Sequence, residues 1–360
     1  MSEQSSTTGH THFYEIDLFR FLGAFMVMFA HYTARGAETY YSDVAFPEIA
    51  WITKYGIIAL DLFFMISGFV ILITVHKRSA FDYMVSRFSR IYPLYWFCLT
   101  FTVLAILLLS DGRFDFTWEQ VALNYTLFQT YLGSSHLDGV YWTLLVELKF
   151  YFWIWMLMLT NQIHHVQRFM YFWGAISLVY LWVYPSGVLY ELFVPEWSGH
   201  FLTGAAFFLA FTRGWRPSTL GLLALAFTVV MSNVYQRSNH DTELIVSVCA
   251  MLLYYGFFVG AITGYWDRFV GTWKWTAALG GVTFPLYLTH QYLGYMLFNL
   301  TQDVLNRWVA LLVIMIIASA IATLIHFYYE VPSLNWTRKV MRSFKPYMPA
   351  RLLKPSKEVV

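Results

Sequence analysis

The stretch YGIIALDLFFMISGFVILITV, residues 55–75, contains a single charged residue, Asp61, in a run that is otherwise almost entirely apolar. A helix of about 20 apolar residues is long enough to span the hydrocarbon core of a bilayer. Similar runs recur along nearly the whole chain of 360 residues, of which 58% are hydrophobic and 12% charged, whereas about 25% of a soluble domain is charged. The sequence therefore predicts an all-α, polytopic integral membrane protein.

The pattern of apolar runs predicts about ten transmembrane helices. We expect them at residues 13–34, 55–75, 91–110, 139–160, 168–184, 198–213, 218–235, 243–264, 275–300 and 308–329. Lys and Arg favour cytoplasmic loops, and here they gather in alternate connections. These basic positions are Lys77, Arg78, Arg87, Arg90, Arg213, Arg216, Arg268 and Lys274. Both termini are therefore predicted to be cytoplasmic, with a transmembrane domain at 1–340 and a basic cytoplasmic tail at 341–360 that contacts membrane lipid.

Several classes of site and partner have no support in the composition. The net charge of +2 gives no reason to expect a nucleic-acid partner. The two cysteines, Cys98 and Cys249, lie inside apolar runs, so we expect neither a disulfide nor a metal site. The first dozen residues contain no Lys or Arg, and no small-residue cleavage site follows the first apolar run. We therefore expect no removable signal peptide.

The longest connection on the predicted outer side covers residues 111–140. Its middle, TWEQVALNYTLFQTYLG at 117–133, is too short and too polar to span a bilayer comfortably. It predicts an interfacial or re-entrant helix. Such a helix either shapes an outer-facing site or forms a lid of packing residues with no ligand.

Arg20 and His31 bracket ten largely apolar residues, RFLGAFMVMFAH, in the first predicted helix. A residue in a helix turns by about 100° and rises by about 1.5 Å, so eleven steps return to nearly the same face about 16 Å further along the axis. The two groups therefore line one side of the helix at two depths. With a cytoplasmic amino terminus, Arg20 lies towards the cytoplasm and His31 towards the outer side.

Two acidic residues are predicted at the same outer depth as His31. Asp61 lies near the start of the second predicted helix and Glu147 near the start of the fourth, and both helices enter from outside. Charges at membrane depth cost about 2.5–3.5 kcal/mol each on translocon scales, which makes each a candidate functional residue. Any one of the three alone is explained by an interhelical hydrogen bond. Together they predict a general base, His31, whose imidazolium form is stabilised by Asp61 or Glu147.

Arg87 and Arg90 in the motif RFSR lie just before the third predicted helix. Their i, i+3 spacing puts both guanidinium groups on one helical face, where they can bind a phosphate bidentately. Arginines at a cytoplasmic helix end also occur without any ligand. The offset of about 16 Å between Arg20 and His31 is comparable to a pantetheine arm, which favours an acyl-CoA as donor.

Several further polar or small residues allow more than one interpretation. His290, beside Gln291 in the ninth predicted helix, either lines the donor tunnel or makes a structural interhelical bond. Ser67 and Gly68 indicate close helix packing, although Ser67 as an acylated nucleophile stays open without an assignable base. His136 and Asp138 in the outer loop either touch an acceptor or belong to a solvated loop.

The chain resembles the acyltransferase-3 family of integral membrane acyltransferases, whose bacterial members O-acetylate cell-surface polysaccharides. The resemblance rests on ordered motifs spread over almost the whole chain. They are YEIDLFRFLGAFMVMFAHY at 14–32, ALDLFFMISGFVI at 59–71, RFSRIYPLYW at 87–96, YWTLLVELKFYF at 141–152, FPLYLTHQ at 284–291 and YYEVP at 328–332. Two departures are Leu148 and Lys149, where many members have a second acid and a Gln, and Val331, where an Arg is common.

The resemblance implies a role for most of the candidate residues. His31 takes the catalytic role, Arg20 a structural or donor-binding role, and Arg87 and Arg90 contact acyl-CoA, while Glu147 lies near the reaction centre. The predicted protein is a bacterial inner-membrane O-acyltransferase. It transfers an acyl group, most often acetyl in this family, from cytoplasmic acetyl-CoA to a hydroxyl of a glycan or lipid-linked oligosaccharide on the outer side.

Two other function classes compete with this prediction. A proton-coupled transporter also buries Asp, Glu and His in relays, but it predicts inverted repeats and broken helices, which the sequence does not display. A non-catalytic membrane scaffold explains the apolar runs and leaves the alignment of Arg20 and His31 without a purpose. Neither class depends on CoA, and an oligomer is compatible with all three.

Overall fold

The computed structural model describes residues 12–75, 78–183, 186–237, 241–270 and 273–356. Within these ranges the chain is helical and contains no β-strand; the only strand-like pairing there is an isolated bridge between Ser79 and Pro355. Residues 1–11 and 357–360 and Lys77 lie outside the described ranges. The absence of a signal peptide was expected mainly from residues 1–11, and the end of the basic tail and Lys77 are also among the residues that are not described.

Each of the ten predicted runs coincides with a long helix in the described ranges. The helices are α1 (Tyr14–Ala30), α2 (Ala59–Val75), α3 (Ala80–Leu109), α4 (Trp142–Leu159), α5 (Val166–Trp182), α6 (Pro195–Arg213), α7 (Pro217–Arg237), α8 (Asp241–Ile262), α9 (Trp275–Thr301) and α10 (Arg307–Ile325). The all-α prediction is confirmed.

Six helical segments of the described chain are long and apolar enough to cross a membrane. They are Pro47–Val75, Ala80–Leu109, Gly139–Leu159, Pro217–Arg237, Asp241–Ile262 and Arg307–Tyr347. The protein is therefore a multi-pass membrane protein, while the number of ten crossings and the side of each terminus stay predictions. α1, α5, α6 and α9 are not among the six. Most residues of α6 and α9 are buried against other helices and include His, Thr and Gln, so much of the surface of these two helices faces protein instead of lipid.

The third helix begins eleven residues earlier than predicted, at Ala80 instead of residue 91. Ser79 caps its amino terminus, because the Ser79 side chain accepts a hydrogen bond from the backbone N–H of Asp82 at 3.0 Å. The apolar pattern marks only the part of a helix that lies in lipid, whereas the helix itself continues outside it. Arg87 and Arg90 therefore sit well inside α3 instead of ahead of it.

α2 and α6 touch backbone to backbone through two glycines. A Cβ on Gly204 would lie 1.9 Å from the carbonyl oxygen of Met65, and a Cβ on Gly68 would lie 2.3 Å from the carbonyl oxygen of Phe201. No side chain larger than hydrogen fits at either position. Gly68 therefore serves close helix packing, as small residues do in membrane bundles.

α1 and α9 are joined at the level of His31. The Tyr32 hydroxyl donates a hydrogen bond of 2.8 Å to the carbonyl oxygen of His290. Gly294, one turn further along α9, makes room for the Tyr32 ring, because a Cβ there would lie 2.1 Å from Tyr32 Cε1. This contact fixes the relative position of the two helices that carry His31 and His290.

Two segments of π-helix extend the long helices, His31–Arg35 after α1 and His326–Glu330 after α10. π-Helical turns are rare and frequently occur at functional sites. Beyond the second one, the chain continues as the helix Val331–Ser343. The predicted boundary between the transmembrane domain and the tail, at residue 340, falls inside this helix and stays a prediction.

The long connection between α3 and α4 forms two short helical pieces, Trp118–Asn124 and Gln129–Leu132. Leu127 separates them with a φ of 67°, a left-handed conformation that interrupts a helix. Instead of the single interfacial or re-entrant helix predicted over 117–133, the structure has two short helical pieces with a sharp bend between them.

Candidate active site

The largest cluster of cationic side chains lines a cavity of about 500 Å³, which we call the arginine cavity. Four arginines line it: Arg20 from α1, Arg87 and Arg90 from α3, and Arg338 from the helix Val331–Ser343. The structure thus brings the three predicted arginines together and adds a fourth. No sequence motif marked Arg338, because its neighbours in the cavity come from distant parts of the chain.

Three of the four arginines, Arg20, Arg87 and Arg338, make no ion pair with a carboxylate in the described part of the chain, whereas Arg90 does. Arg20 makes no side-chain ion pair or hydrogen bond with the described part of the chain. Arg87 lies over the Tyr151 ring, with 5.6 Å between the guanidinium carbon and the ring centroid, and donates to Ser86 Oγ at 2.9 Å. Its Nε is buried without a hydrogen-bond partner. Asp17 and Glu147 line the same cavity, but the guanidinium groups outnumber them. Such a cavity is suited to an anionic ligand, above all a phosphate.

Arg90 belongs to a neutralised cluster at the same cavity. Its guanidinium group lies 3.0 Å from Glu330 Oε1, and His326 Nδ1 lies 2.7 Å from Glu330 Oε2. The Glu330 side chain is only 2% exposed. Since the carboxylate serves two cations or donors, Arg90 contributes less free positive charge to the cavity than Arg20 and Arg87 do.

Glu147 lies in the arginine cavity and not beside His31. Its Oε1 accepts hydrogen bonds from Ser67 Oγ and Tyr151 OH, each 2.5 Å long. Two hydroxyl donors, one on α2 and one a turn further along α4, therefore hold the carboxylate, and the predicted contact with His31 is not made. Tyr151 follows Glu147 by four residues and was predictable from helical spacing, whereas the contact with Ser67 on α2 was not.

A second cavity, of about 410 Å³, is lined by His31 and is called the histidine cavity. Arg35 and Lys54 contribute positive charge to its wall, and Gln291 and Tyr292 come from α9. The two cavities share Leu60 and Tyr287 as lining residues. Thr143 and Val140 at the start of α4 hold the Tyr287 hydroxyl through hydrogen bonds of 3.0 and 3.2 Å.

His31 is hydrogen-bonded to a second histidine instead of a carboxylate. His31 Nδ1 lies 2.8 Å from His290 Nε2, and the two rings are nearly parallel, with 14° between their planes. His290 is fully buried and does not line the arginine cavity. Of the two readings of His290, the interhelical bond is the one that the structure contains.

Asp61 is also remote from the His31 hydrogen-bond network. Its Oδ1 lies 3.4 Å from Nε2 of His200, on α6. Asp61 lines a third cavity of about 380 Å³, together with Trp142, Trp197 and Arg237. The depth read from the sequence was insufficient to group the acids with His31, because depth along a helix says nothing about which neighbouring helix a side chain faces.

Asp138 proves to be part of a wall and not of a solvated loop. It is fully buried, and its side chain accepts hydrogen bonds from the backbone N–H groups of Val140 at 3.2 Å and Tyr292 at 3.3 Å. Burial nevertheless raises the pKa of its carboxyl to about 7. Asp138, directly before Gly139 in the wall of the histidine cavity, is therefore a poor permanent anion at neutral pH.

Within the described ranges, no group of three or more His, Cys, Asp or Glu side chains is arranged to hold a metal ion. The groups that line the two cavities and are suited to chemistry include His31, the arginines, Glu147 and the hydroxyl groups of Ser67, Tyr151 and Tyr287.

These cavities belong to a multi-pass helical membrane protein in which a cationic cavity adjoins a histidine-lined one. The model of the acyltransferase-3 family, described as an acyltransferase domain, matches residues 13–327, and the chain belongs to this family. The family membership expected from the sequence motifs is confirmed, and the protein is an acyltransferase. No curated protein and no solved structure matches the chain.

Proposed function

We propose that this protein is a membrane-bound O-acyltransferase that uses cytoplasmic acyl-CoA, with acetyl as the first choice of acyl group. The acceptor is a hydroxyl of a glycan or lipid-linked glycan on the outer side of a bacterial inner membrane. The observation that supports the proposal is that the arginine cavity and the histidine cavity lie against each other, with Leu60 and Tyr287 lining both. In the proposed mechanism the thin arm of the donor passes between these two residues, from the arginines towards His31.

The donor end of the proposal rests on charge. The adenosine and pyrophosphate portion of CoA carries several negative charges, and Arg20, Arg87 and Arg338 supply guanidinium groups to the arginine cavity. Arg20 and His31 lie on one helix about 16 Å apart along its axis. Phosphates bound near Arg20 would place the thioester near the shared wall of the two cavities.

In the proposed mechanism the acyl group passes directly from the donor to the acceptor, with His31 as the general base. His31 removes the proton from the acceptor hydroxyl, the alkoxide oxygen bonds to the thioester carbonyl carbon, and the carbon–sulfur bond breaks. The CoA thiolate that leaves takes the proton from His31 and departs as the free thiol. A route through an acyl-histidine uses the same side chain as nucleophile and is an alternative order of the same steps.

The acceptor end of the proposal rests on half-buried aromatic groups and an ion pair, Glu196 with Arg237, beside the histidine cavity. Trp142 lines both the histidine cavity and the third cavity, where Trp197 lies beside it with 5.0 Å between ring centroids. Indole rings pack against the apolar face of a sugar, and Glu196 and Arg237 in the same wall are suited to its hydroxyl groups. This composition favours a glycan over an apolar acceptor.

A direct test is the release of CoA from acetyl-CoA by purified protein in detergent or nanodiscs, with water replacing a missing acceptor. We expect CoA release above that of protein inactivated by His31→Gln. A proton-coupled transporter would release no CoA, so equal rates for the two proteins would reject the acyltransferase mechanism. Transfer of labelled acetyl from the inner to the outer face of sealed vesicles tests the direction.

A further inference from the structure

We infer that His290 is a positioning residue that fixes the tautomer of His31 and thereby directs the lone pair of His31 Nε2 into the histidine cavity. The inference rests on the proposed function for its catalytic consequence. The tautomer itself follows from hydrogen bonds that do not depend on any ligand.

The first step is the protonation of His290. Its Nδ1 lies 3.0 Å from the carbonyl oxygen of Leu286 and 2.9 Å from that of Tyr287. Carbonyl oxygens only accept hydrogen bonds, so Nδ1 carries the proton. His290 is fully buried, and in the described part of the chain its ring nitrogens contact only two backbone carbonyls and His31, with no carboxylate among them. An uncompensated cation is costly in such a place, so the ring is neutral and its Nε2 is an acceptor.

The second step transfers this constraint to His31. His290 Nε2 accepts, so the 2.8 Å contact requires His31 Nδ1 to donate. In the neutral His31 ring the remaining nitrogen, Nε2, then carries the lone pair. It makes no hydrogen bond within the described part of the chain, and His31 lines the histidine cavity. The nitrogen that faces the substrate side is thus the basic one.

The third step is the rigidity of the pair. The backbone of His290 is held by the Tyr32 hydroxyl at 2.8 Å, so the residue after His31 anchors the partner of His31. Gly294 permits this approach. His290 Nδ1 donates only to backbone carbonyls, which cannot take a proton. The proton that His31 accepts therefore leaves through Nε2, in agreement with its return to the CoA thiolate.

The tautomer is measurable without turnover. Protein labelled with [¹⁵N]histidine, compared with His31→Gln for assignment, is expected to show His31 protonated at Nδ1 and bare at Nε2. In His290→Leu we expect a shift to the Nε2-protonated form, because the acceptor is lost. In His290→Gln the amide oxygen can accept the same hydrogen bond, and the Nδ1-protonated form should persist. A wild-type His31 protonated at Nε2, or an unchanged tautomer in His290→Leu, would overturn the inference.

The kinetic arm uses CoA release from acetyl-CoA. We expect His290→Leu to lower kcat by about 10- to 100-fold, the range for partners that orient a functional histidine, with the KM for acetyl-CoA within about twofold of wild type. His290→Gln should recover much of the lost rate, and His164→Gln, far from the pair in sequence, serves as the matched control. A raised KM with unchanged kcat would make His290 a donor-binding residue and reject the positioning role. An inactive wild type would reject the proposed function, while the ¹⁵N result would still decide the tautomer.

Discussion

Two buried histidines, His31 and His200, differ in what surrounds them. His31 is 6% exposed, donates from Nδ1 to a second histidine, and lines a cavity that adjoins the arginines. His200 is 2% exposed, faces Asp61 at 3.4 Å, and neither of its ring nitrogens has a hydrogen-bond partner in the described part of the chain. In the pair that resembles a general base with its carboxylate, the histidine thus lines none of the three cavities described above. Access to the donor, more than a nearby acid, distinguishes a candidate base.

The strongest test of the difference between His31 and His200 is to replace each histidine by Gln. We expect His31→Gln to lower CoA release from acetyl-CoA by about 10³-fold, within the range of 10²–10⁴ for the loss of a general base. His200→Gln should lower it by less than about threefold. Both variants are checked for monodisperse elution before their rates are compared. A larger loss in His200→Gln than in His31→Gln would transfer the catalytic role to the Asp61 pair.

The second test concerns the cations that separate the two regions. Arg87→Gln removes a guanidinium group that has no carboxylate partner, and hydrogen bonds to charged groups contribute about 1.5–3 kcal/mol. We expect the KM for acetyl-CoA to rise by about 10- to 100-fold with a small change in kcat. Arg216→Gln is the matched control, because Arg216 is exposed and donates to the backbone of Arg213. An unchanged KM in Arg87→Gln would return Arg87 to a topological role.

The third test asks whether Glu147 acts with His31 after all. Glu147→Gln keeps an acceptor for Ser67 and Tyr151 but removes the charge. Because these two hydroxyls hold Oε1 within the arginine cavity, we expect kcat for CoA release to fall by less than about tenfold. Glu147→Leu should also lower the melting temperature, since it leaves two donors without an acceptor, at about 1–3 kcal/mol each. A loss of kcat in Glu147→Gln as large as that in His31→Gln would indicate a direct contact during catalysis.

The smallest expected effect concerns the acid beside the histidine cavity. Burial raises the pKa of Asp138 to about 7, above its usual value of about 3.9. The folded protein therefore binds a proton that the unfolded chain has released, and the stability from this group is present below about pH 4 and lost as pH rises through 7. Asp138→Asn should flatten the fall of melting temperature between pH 5 and pH 8. A curve identical to that of wild type would show that Asp138 is ionised throughout.

Much of the fold was predictable from hydropathy. All ten apolar runs fall on helices, because lipid requires each spanning segment to satisfy its own backbone hydrogen bonds. The errors in the predicted helix boundaries lie in segments outside the apolar runs. The amino-terminal end of α3 was missed because capping by Ser79, and not hydropathy, sets it. The bend at Leu127 was missed because no Gly or Pro marks it.

The candidate site was predictable in its parts and not in its pairs. The sequence singled out Arg20, Arg87 and Arg90, and the structure places all three in one cavity. It also singled out His31 and His290 without joining them. Arg338 lies in a basic segment and His326 follows an apolar one, so no local signal marked either residue as lining the same cavity.

The sequence by itself determined the helical membrane class, the family, and the alignment of Arg20 with His31, because these depend on apolar run length, on ordered motifs and on the fixed geometry of one helix. Only the tertiary structure decided the partners: His290 for His31, His200 for Asp61, and Ser67 with Tyr151 for Glu147. The physical reason is that partnership depends on the rotation and neighbours of packed helices. Close contacts, such as those of Gly204 on α6 with α2 and of Gly294 on α9 with Tyr32, set the rotation and the neighbours of each helix.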